Sequence, residues 1–195
     1  MNRRQFLQKS AFTGFATSAR PNQDAQTTRI GISTWSFHNL FTPTRDKEAG
    51  PISGKPLDAR DFPDMIADRY HVHEMEIVAP HIATESSYIK ELKARLDRAH
   101  SHLVNIPVDI PELWHAGGLS DPDPKIREHA ISACTKWIDI ARELGAKSVR
   151  CDPGKINTAD LSPTVSSYRA LASYGASKNI FVIIEYCAHQ KINIR

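Results

Sequence analysis

The sequence has few cysteines and few glycines, and it lacks any long apolar run. Its 195 residues include three cysteines and nine glycines. The cysteines are far apart with no C-x-x-C pair, so no zinc site or disulfide framework is predicted. No stretch approaches the ~20 apolar residues that cross a bilayer, so no transmembrane segment is predicted. The sequence also lacks G-x-G-x-x-G and P-loop patterns, which disfavours a dinucleotide-binding fold.

A strong charge of one sign is also missing from most of the chain. The formal net charge is +3, but the first 29 residues hold five basic side chains and one acidic one. The remainder has 20 basic and 21 acidic side chains. Because the chain after residue 29 is nearly neutral, it lacks the excess of basic residues that binds nucleic acid, and no nucleic-acid partner is expected.

The first residues resemble an export signal. Arg3 and Arg4 precede a modestly apolar segment that ends in small residues at Ala19, which is typical of a twin-arginine leader. Residues 20–28 are polar and form a predicted linker. We therefore predict a signal and linker over 1–28 and an exported or periplasmic protein, which would be cytoplasmic if the signal is not functional. An amphipathic first helix is the alternative.

From residue 29 to residue 195, short β-rich segments alternate with helical ones. Strands are predicted at 29–35, 74–78, 103–108, 147–151 and 180–185, and helices at 64–70, at 87–101, between Asp121 and Gly145, and from Ser162 onward. Such alternation predicts a parallel sheet, either open and doubly wound or closed as a barrel. Without a glycine-rich loop the barrel is favoured. The length allows about five βα units at roughly 35 residues each, so we predict an incomplete (β/α)8 TIM barrel.

Two of these elements carry more specific expectations. The fifth strand is apolar on both faces, which suits a sheet covered on each side. In the last helix, the spacing predicts an inward face of Val165, Tyr168, Leu171 and Ala172.

Five sequence segments, taken in order, resemble the sugar phosphate isomerase/epimerase family with its xylose isomerase-like TIM barrel. They are Gly31–Phe37, Met75–Ile77, Asn105–Asp109, Leu144–Arg150 and Val182–Glu185. The resemblance implies a divalent metal (Mn²⁺, Mg²⁺ or Co²⁺) and proton transfer next to a sugar carbonyl. It also makes Glu185 a metal ligand and catalytic acid/base. The family's other ligands come from three later strands, so we expect an incomplete ligand set and a truncated chain that does not turn over sugar by itself.

Seven further side chains near the predicted strand ends are candidates for binding a sugar or sugar phosphate. They are Trp35, Phe37, Glu76, His81, Asn105, Arg150 and Asp152. Aromatic rings suit the C–H face of a sugar, and an arginine suits a phosphate or carboxylate. The alternatives are core packing for the two aromatic residues, loop capping for Asn105 and a local Arg150–Asp152 ion pair.

Several other interpretations remain open from the sequence. The chain is alternatively a non-catalytic fragment that binds sugar or self-associates as a homo-oligomer, or an endonuclease-type relative on the same barrel. His71 and His73 form an H-x-H pair, but they lie where a strand begins, away from the mouth of a barrel. Cys151 and Cys187 would end adjacent strands, where a disulfide is an alternative to free thiols.

Overall fold

The computed structural model describes residues 30–115 and 117–185. The strands are β1 (Gly31–Ser33), β2 (Glu74–Glu76), β3 (His102–Val108), β4 (Ser148–Cys151) and β5 (Phe181–Ile184). The α-helices are α1 (Phe62–Tyr70), α2 (Ser86–Arg98), α3 (Pro111–Trp114), α4 (Pro124–Leu144) and α5 (Ser162–Lys178). Short 3-10 turns cover Thr34–Leu40, Thr42–Thr44, Lys47–Ala49, Ala79–His81 and Gly118–Ser120.

The five strands form one parallel sheet in the order of the sequence, from β1 to β5. Parallel neighbours need a crossover connection, and a helix supplies it between each pair of successive strands from β1 to β5. The carboxyl ends of all five strands therefore lie at the same end of the sheet. This arrangement agrees with the predicted run of five βα units.

The sequence signals for α4 give its end at Gly145 correctly and place its start two residues before the capping Asp123. The Asp123 side chain caps the start by accepting from the Lys125 N–H at 2.9 Å. Gly145 ends the helix in the left-handed region (φ 78°), which glycine adopts without a steric penalty. The buried face of α4 consists of Ala130, Cys134, Trp137, Ile138, Ala141 and Leu144.

The first strand is shorter than predicted. It ends at Ser33, whose Oγ accepts from the Trp35 N–H at 3.2 Å and caps the 3-10 turn over Thr34–Leu40. Trp35 and Phe37 therefore belong to a turn rather than to the strand end. The local bond between the Trp35 N–H and the Ser33 hydroxyl is made here in place of a further backbone hydrogen bond between strands.

The inward face of α5 differs from the prediction. Tyr168 and Leu171 are buried, as predicted, but Val165 and Ala172 are exposed. Ser167 and Gly175 take their places in the buried face. Gly175 brings the helix close to β5, since a Cβ added there would lie 2.6 Å from the carbonyl oxygen of Ile180. Close backbone approach therefore sets the orientation of this helix.

Strand β5 is less covered than its sequence suggests. Phe181 is 74% exposed, and Ile183 and Ile184 are also exposed. Among residues 30–115 and 117–185, β5 pairs only with β4 and forms one edge of the sheet. The prediction of a strand buried on both faces is therefore wrong for β5 within this part of the chain.

Some sequence predictions fall outside the described residues. The leader and linker over 1–28 and Cys187 lie there, so the export signal and the Cys151–Cys187 disulfide stay predictions. In the ranges that the structure covers, every helix is too short or too polar to traverse a bilayer. His71 and His73 are exposed and lie just before β2, as predicted.

Candidate functional site

A belt of polar side chains crosses the sheet from β1 to β4. The Ser33 hydroxyl donates to Glu76 Oε1 at 2.9 Å, and the Asn105 amide donates to Glu76 Oε2 at 2.7 Å. The Ser148 hydroxyl lies 2.9 Å from Asn105 Oδ1 and 3.0 Å from the Val104 carbonyl oxygen. The amide nitrogen of Asn105 faces Glu76 because a carboxylate accepts hydrogen bonds but does not donate them. The register aligns these residues, because Ser33 pairs with Glu76, Glu76 with Asn105 and Asn105 with Ser148. Each carboxylate oxygen of Glu76 is therefore held by a separate donor.

A second polar group lies beyond the belt, at the carboxyl ends of β3, β4 and β5. Arg150 Nη2 is 3.5 Å from Asp109 Oδ1, and Arg150 Nη1 forms an ion pair with Glu185 Oε2. Asp109 is largely buried, and burial raises the pKa of its carboxyl while Arg150 opposes the shift. The guanidinium thus joins two carboxylates that follow different strands.

Asp152 does not pair with Arg150, contrary to one alternative from the sequence. Its Oδ1 accepts from the Gly154 N–H at 2.7 Å, and the residue is buried. Burial raises the pKa of the Asp152 carboxyl, and the Gly154 N–H bond opposes that rise. Asp152 therefore shapes the turn after β4.

An open cleft of about 730 Å³ lies over these groups. Trp35 and Trp114 stand on its walls with 52% and 46% of their surfaces exposed. The remaining lining residues are Ser33, Ser36, Thr44, Glu76, Val78, Pro80, Asp109, Arg150 and Glu185. A cleft at the carboxyl ends of parallel strands is where barrel enzymes bind their substrates.

Four of the predicted site residues line this cleft together: Trp35, Glu76, Arg150 and Glu185. Asn105 lies behind Glu76 and orients it through the bond already described. Asp152 does not line the cleft. Phe37 packs edge-on against Phe62, with ring centroids 5.7 Å apart, which matches the alternative of core packing.

His81 lies one layer behind the cleft and is 6% exposed. Its Nε2 is 2.7 Å from the Thr44 hydroxyl, and its ring stacks on Phe41 with centroids 3.7 Å apart. Burial lowers the pKa of His81 to about 4, and the nearby charge of His38 adds to this effect. Nδ1 of His81 has no hydrogen-bond partner among the residues that the structure describes. Its contact with the cleft is through Thr44.

Sequence reasoning missed several lining residues, notably Asp109 and Trp114. Asp109 directly follows β3, a position that already carried the signal for a residue at the mouth of a barrel. Trp114 belongs to the short helix α3, which was not predicted, and no periodic pattern marks a helix of four residues.

The described residues do not form a metal site by themselves. In residues 30–115 and 117–185, no group of three His, Cys, Asp or Glu side chains is close enough to hold an ion. The expected ligand Glu185 is paired with Arg150 instead. A single carboxylate bonded to a guanidinium does not provide the ligand set that a hard divalent cation needs.

The family model described as xylose isomerase-like TIM barrel matches residues 69–195. The chain belongs to this family. The family's barrel was the one predicted from the five segments, and the fold of five parallel strands with alternating helices is confirmed as a partial TIM barrel. Search against curated proteins gives no match to the sequence.

Solved structures of sugar epimerases share the fold of this xylose isomerase-like chain. A D-tagatose 3-epimerase-like protein is 17% identical with a TM-score of 0.54, covering 79% of this chain and 51% of its own. D-psicose 3-epimerase from Clostridium cellulolyticum H10 is 19% identical with a TM-score of 0.54, over 78% of this chain and 50% of its own. D-allulose 3-epimerase from Methylomonas sp. is 16% identical with a TM-score of 0.55, over 79% of this chain and 49% of its own. The chain thus spans about half the length of these structures.

Proposed function

We propose that this chain supplies the N-terminal part of a sugar isomerase or epimerase site, in which Glu185 moves a proton next to a sugar carbonyl. The observation that supports this proposal is the placement of Glu76 and Glu185 in one cleft walled by two tryptophans. Indole faces pack against the C–H face of a sugar, and carboxylates bind hydroxyls and accept protons. The sugar epimerase titles of the structural neighbours agree with this reaction class.

The residues of the cleft suggest separate roles in such a reaction. The Glu185 carboxylate accepts the proton from the carbon beside the carbonyl, and the C–H electron pair moves into an enediolate. The Arg150 guanidinium stabilises the developing negative oxygen. Burial raises the pKa of the Asp109 carboxyl, so a larger fraction of it carries a proton than of an ordinary aspartic acid at the same pH. Delivery of a proton from the Asp109 carboxyl to the opposite face of the same carbon gives the epimer. Delivery of the proton on Glu185 to the former carbonyl carbon, with the neighbouring hydroxyl proton moving to the former carbonyl oxygen, gives the isomer.

The charge of the cleft favours an unphosphorylated sugar. Its lining contains three carboxylates, from Glu76, Asp109 and Glu185, and one cation, Arg150. Arg150 already pairs with two of these carboxylates, so an incoming phosphate would meet net negative charge. An acidic cleft equally disfavours the phosphate backbone of DNA, and no observation favours the endonuclease alternative.

The metal and the completeness of the site belong to the same proposal. The family implies a divalent ion, which would stabilise the enediolate when bound. Because the described residues do not fit an ion, we propose that further ligands come from polypeptide outside residues 30–185. We propose in addition that the chain is exported, because Arg3 and Arg4 precede a modestly apolar segment that ends in small residues at Ala19.

Deuterium exchange tests the proposed function. The chain is incubated with D-tagatose or D-fructose in D₂O, with and without Mn²⁺, and deuterium at the carbon beside the carbonyl is followed by NMR. We expect sugar binding that weakens at least tenfold in Glu76→Gln, and any exchange to be lost in Glu185→Gln. Glu143→Gln, an exposed position on α4, is the matched control and should behave like the wild type.

The outcomes separate catalysis from binding. Exchange in the wild-type chain that disappears in Glu185→Gln supports the full proposal. Binding without exchange contradicts the proton-transfer role of Glu185 and supports a non-catalytic sugar-binding site. Absence of binding to either ketose, or exchange that persists in Glu185→Gln, contradicts it.

A further inference from the structure

Both ring nitrogens of His38 face hydrogen-bond acceptors. Nδ1 is 2.9 Å from the carbonyl oxygen of Trp35, and Nε2 is 3.1 Å from Oδ2 of Asp46. A carbonyl oxygen and an ionised carboxylate accept hydrogen bonds but do not donate them. Both nitrogens must therefore carry a hydrogen when both bonds are made, and the ring is then an imidazolium cation.

The acceptor Asp46 is itself held in its ionised form. The bond from His38 lowers the pKa of the Asp46 carboxyl, and a bond from the Asn39 amide at 3.1 Å adds to this effect. The Asp46 N–H donates in return to Asn39 Oδ1 at 2.9 Å. Asp46 is thus held by three hydrogen bonds to two neighbouring residues, and its carboxylate stays in position to accept from His38.

The imidazolium also lies against the indole ring of Trp35. The two rings stack with centroids 5.0 Å apart and an angle of 19° between their planes. A cation over an indole face is attractive, and tryptophan gives the strongest such interaction. His38 therefore holds Trp35 twice, at its backbone carbonyl and at its side chain, while Trp35 forms one wall of the cleft.

The charged groups around His38 determine when this arrangement exists. The bond to Asp46 raises the pKa of His38 most, the bond to the Trp35 carbonyl adds to the rise, and partial burial opposes it. His81 contributes no charge at ordinary pH, because its own pKa is lowered to about 4. Arg45 acts on Asp46 and favours its ionised form. When His38 loses its proton, one of its two ring bonds and the cation–indole attraction are lost together.

We propose that His38 is a positioning residue that fixes Trp35 against the cleft while it is protonated and releases it on deprotonation. One consequence of this inference rests on the proposed function: ketose binding should weaken when Trp35 is released. The fixing of Trp35 is a property of the free protein and is tested without any sugar.

The first experiment uses spectroscopy on the full chain without ligand. The pKa of His38 is measured from the NMR shift of its ring carbon, assigned by the signal missing in His38→Gln. The Trp35 fluorescence, taken as the wild-type signal minus that of Trp35→Phe, is recorded over the same pH range. We expect one transition in both signals, with a midpoint above the usual histidine value of about 6.5. In Asp46→Asn the midpoint should fall, because the carboxylate that most raises the pKa of His38 is gone.

Control variants separate this role from a merely structural one. His38→Gln should remove the fluorescence transition, whereas His73→Gln, which alters an exposed histidine just before β2, should keep it. A Trp35 signal that is flat with pH, or that titrates equally in His38→Gln, overturns the proposal. So does a His38 midpoint at or below 6.5, because the two acceptors would then not hold the ring as a cation.

The second experiment measures D-tagatose binding on both sides of the midpoint. We expect affinity to fall by about threefold to tenfold as His38 deprotonates, and the fall to be absent in His38→Gln. If the spectroscopic transition is present but the wild type binds no D-tagatose at any pH, the positioning role stands and the proposed function fails. If binding is present and independent of pH while Trp35 titrates, the link between His38 and ligand binding is overturned.

Discussion

Acid should destabilise the fold through His81. The side chain is 6% exposed, and burial holds the pKa of His81 at about 4. The folded state therefore favours the neutral ring, whereas the unfolded chain takes up the proton near pH 6.5. Because the unfolded state binds more protons between these values, the contribution is complete above pH 6.5 and decreases as pH falls toward 4. Linkage gives a loss of about 2–3 kcal/mol between pH 7.5 and pH 4.5.

Urea unfolding followed by circular dichroism measures this loss. The free energy of unfolding is compared at the two pH values for the wild type and for His81→Phe, which keeps an aromatic ring against Phe41 but does not titrate. Carboxyl groups elsewhere contribute equally to both proteins, so the difference between them isolates His81. We expect the variant to lose about 2–3 kcal/mol less than the wild type on acidification.

A matched control and a second measurement test whether His81 is the source of the lost stability. His129→Phe changes an exposed histidine on α4 and should lose as much stability as the wild type. An equal loss in His81→Phe and the wild type would show that His81 is not the source. If the variant does not fold, the NMR titration of His81 in the wild type decides, and a pKa near 6.5 refutes the reasoning.

Three further predictions concern packing, the polar belt and the sheet edge. Gly175→Ala should lower the free energy of unfolding by about 1–3 kcal/mol, because the new Cβ would lie 2.6 Å from the Ile180 carbonyl oxygen; urea unfolding measures it. Asn105→Ala should cost about 1–2 kcal/mol and weaken ketose binding, because one oxygen of Glu76 loses its donor; unfolding and calorimetry measure the two effects. Phe181→Lys should reduce self-association of the chain, because Phe181 is the most exposed apolar side chain of the β5 edge; light scattering after gel filtration measures the mass.

Each of these predictions has an outcome that contradicts it. Gly175→Ala that stabilises the helix, as alanine ordinarily does, would show that the helix and β5 have room to separate. Asn105→Ala without effect on ligand binding would show that Ser33 alone orients Glu76. A wild-type chain that is already monomeric at all concentrations would exclude the edge of β5 as a site of self-association.

The sequence predicted those features of the fold that depend on local patterns. The α4 helix has a periodic apolar face, a capping aspartate and a terminal glycine, and each acts through bonds between residues near one another in the chain. The end of β1 was misplaced because the strand-forming residue types continue through Thr34 and Trp35, while the bond from the Trp35 N–H to Ser33 Oγ starts a turn. The inward face of α5 was misassigned because Gly175, which carries no apolar side chain, sets the approach to β5.

The site was predictable by position but not by pairing. Glu76, Arg150 and Glu185 were identified from their places near strand ends, and all three line the cleft. The pairing of Arg150 with Asp109 and Glu185 could not be derived, because it depends on the spacing of three strands that are distant in sequence. The preference for Asp152 from sequence proximity overlooked that a backbone N–H two residues away satisfies that carboxylate.

The polar belt has a direction, and that direction limits how it can change. Ser148 reaches the oxygen of the Asn105 amide, which turns the nitrogen toward Glu76. A carboxylate at position 105 would place two acceptors face to face at 2.7 Å, so an aspartate there would be tolerated only together with a donor at position 76. Substitutions at positions 76 and 105 should therefore occur together. A substitution at position 148 should be tolerated only if the nitrogen of the Asn105 amide still faces Glu76.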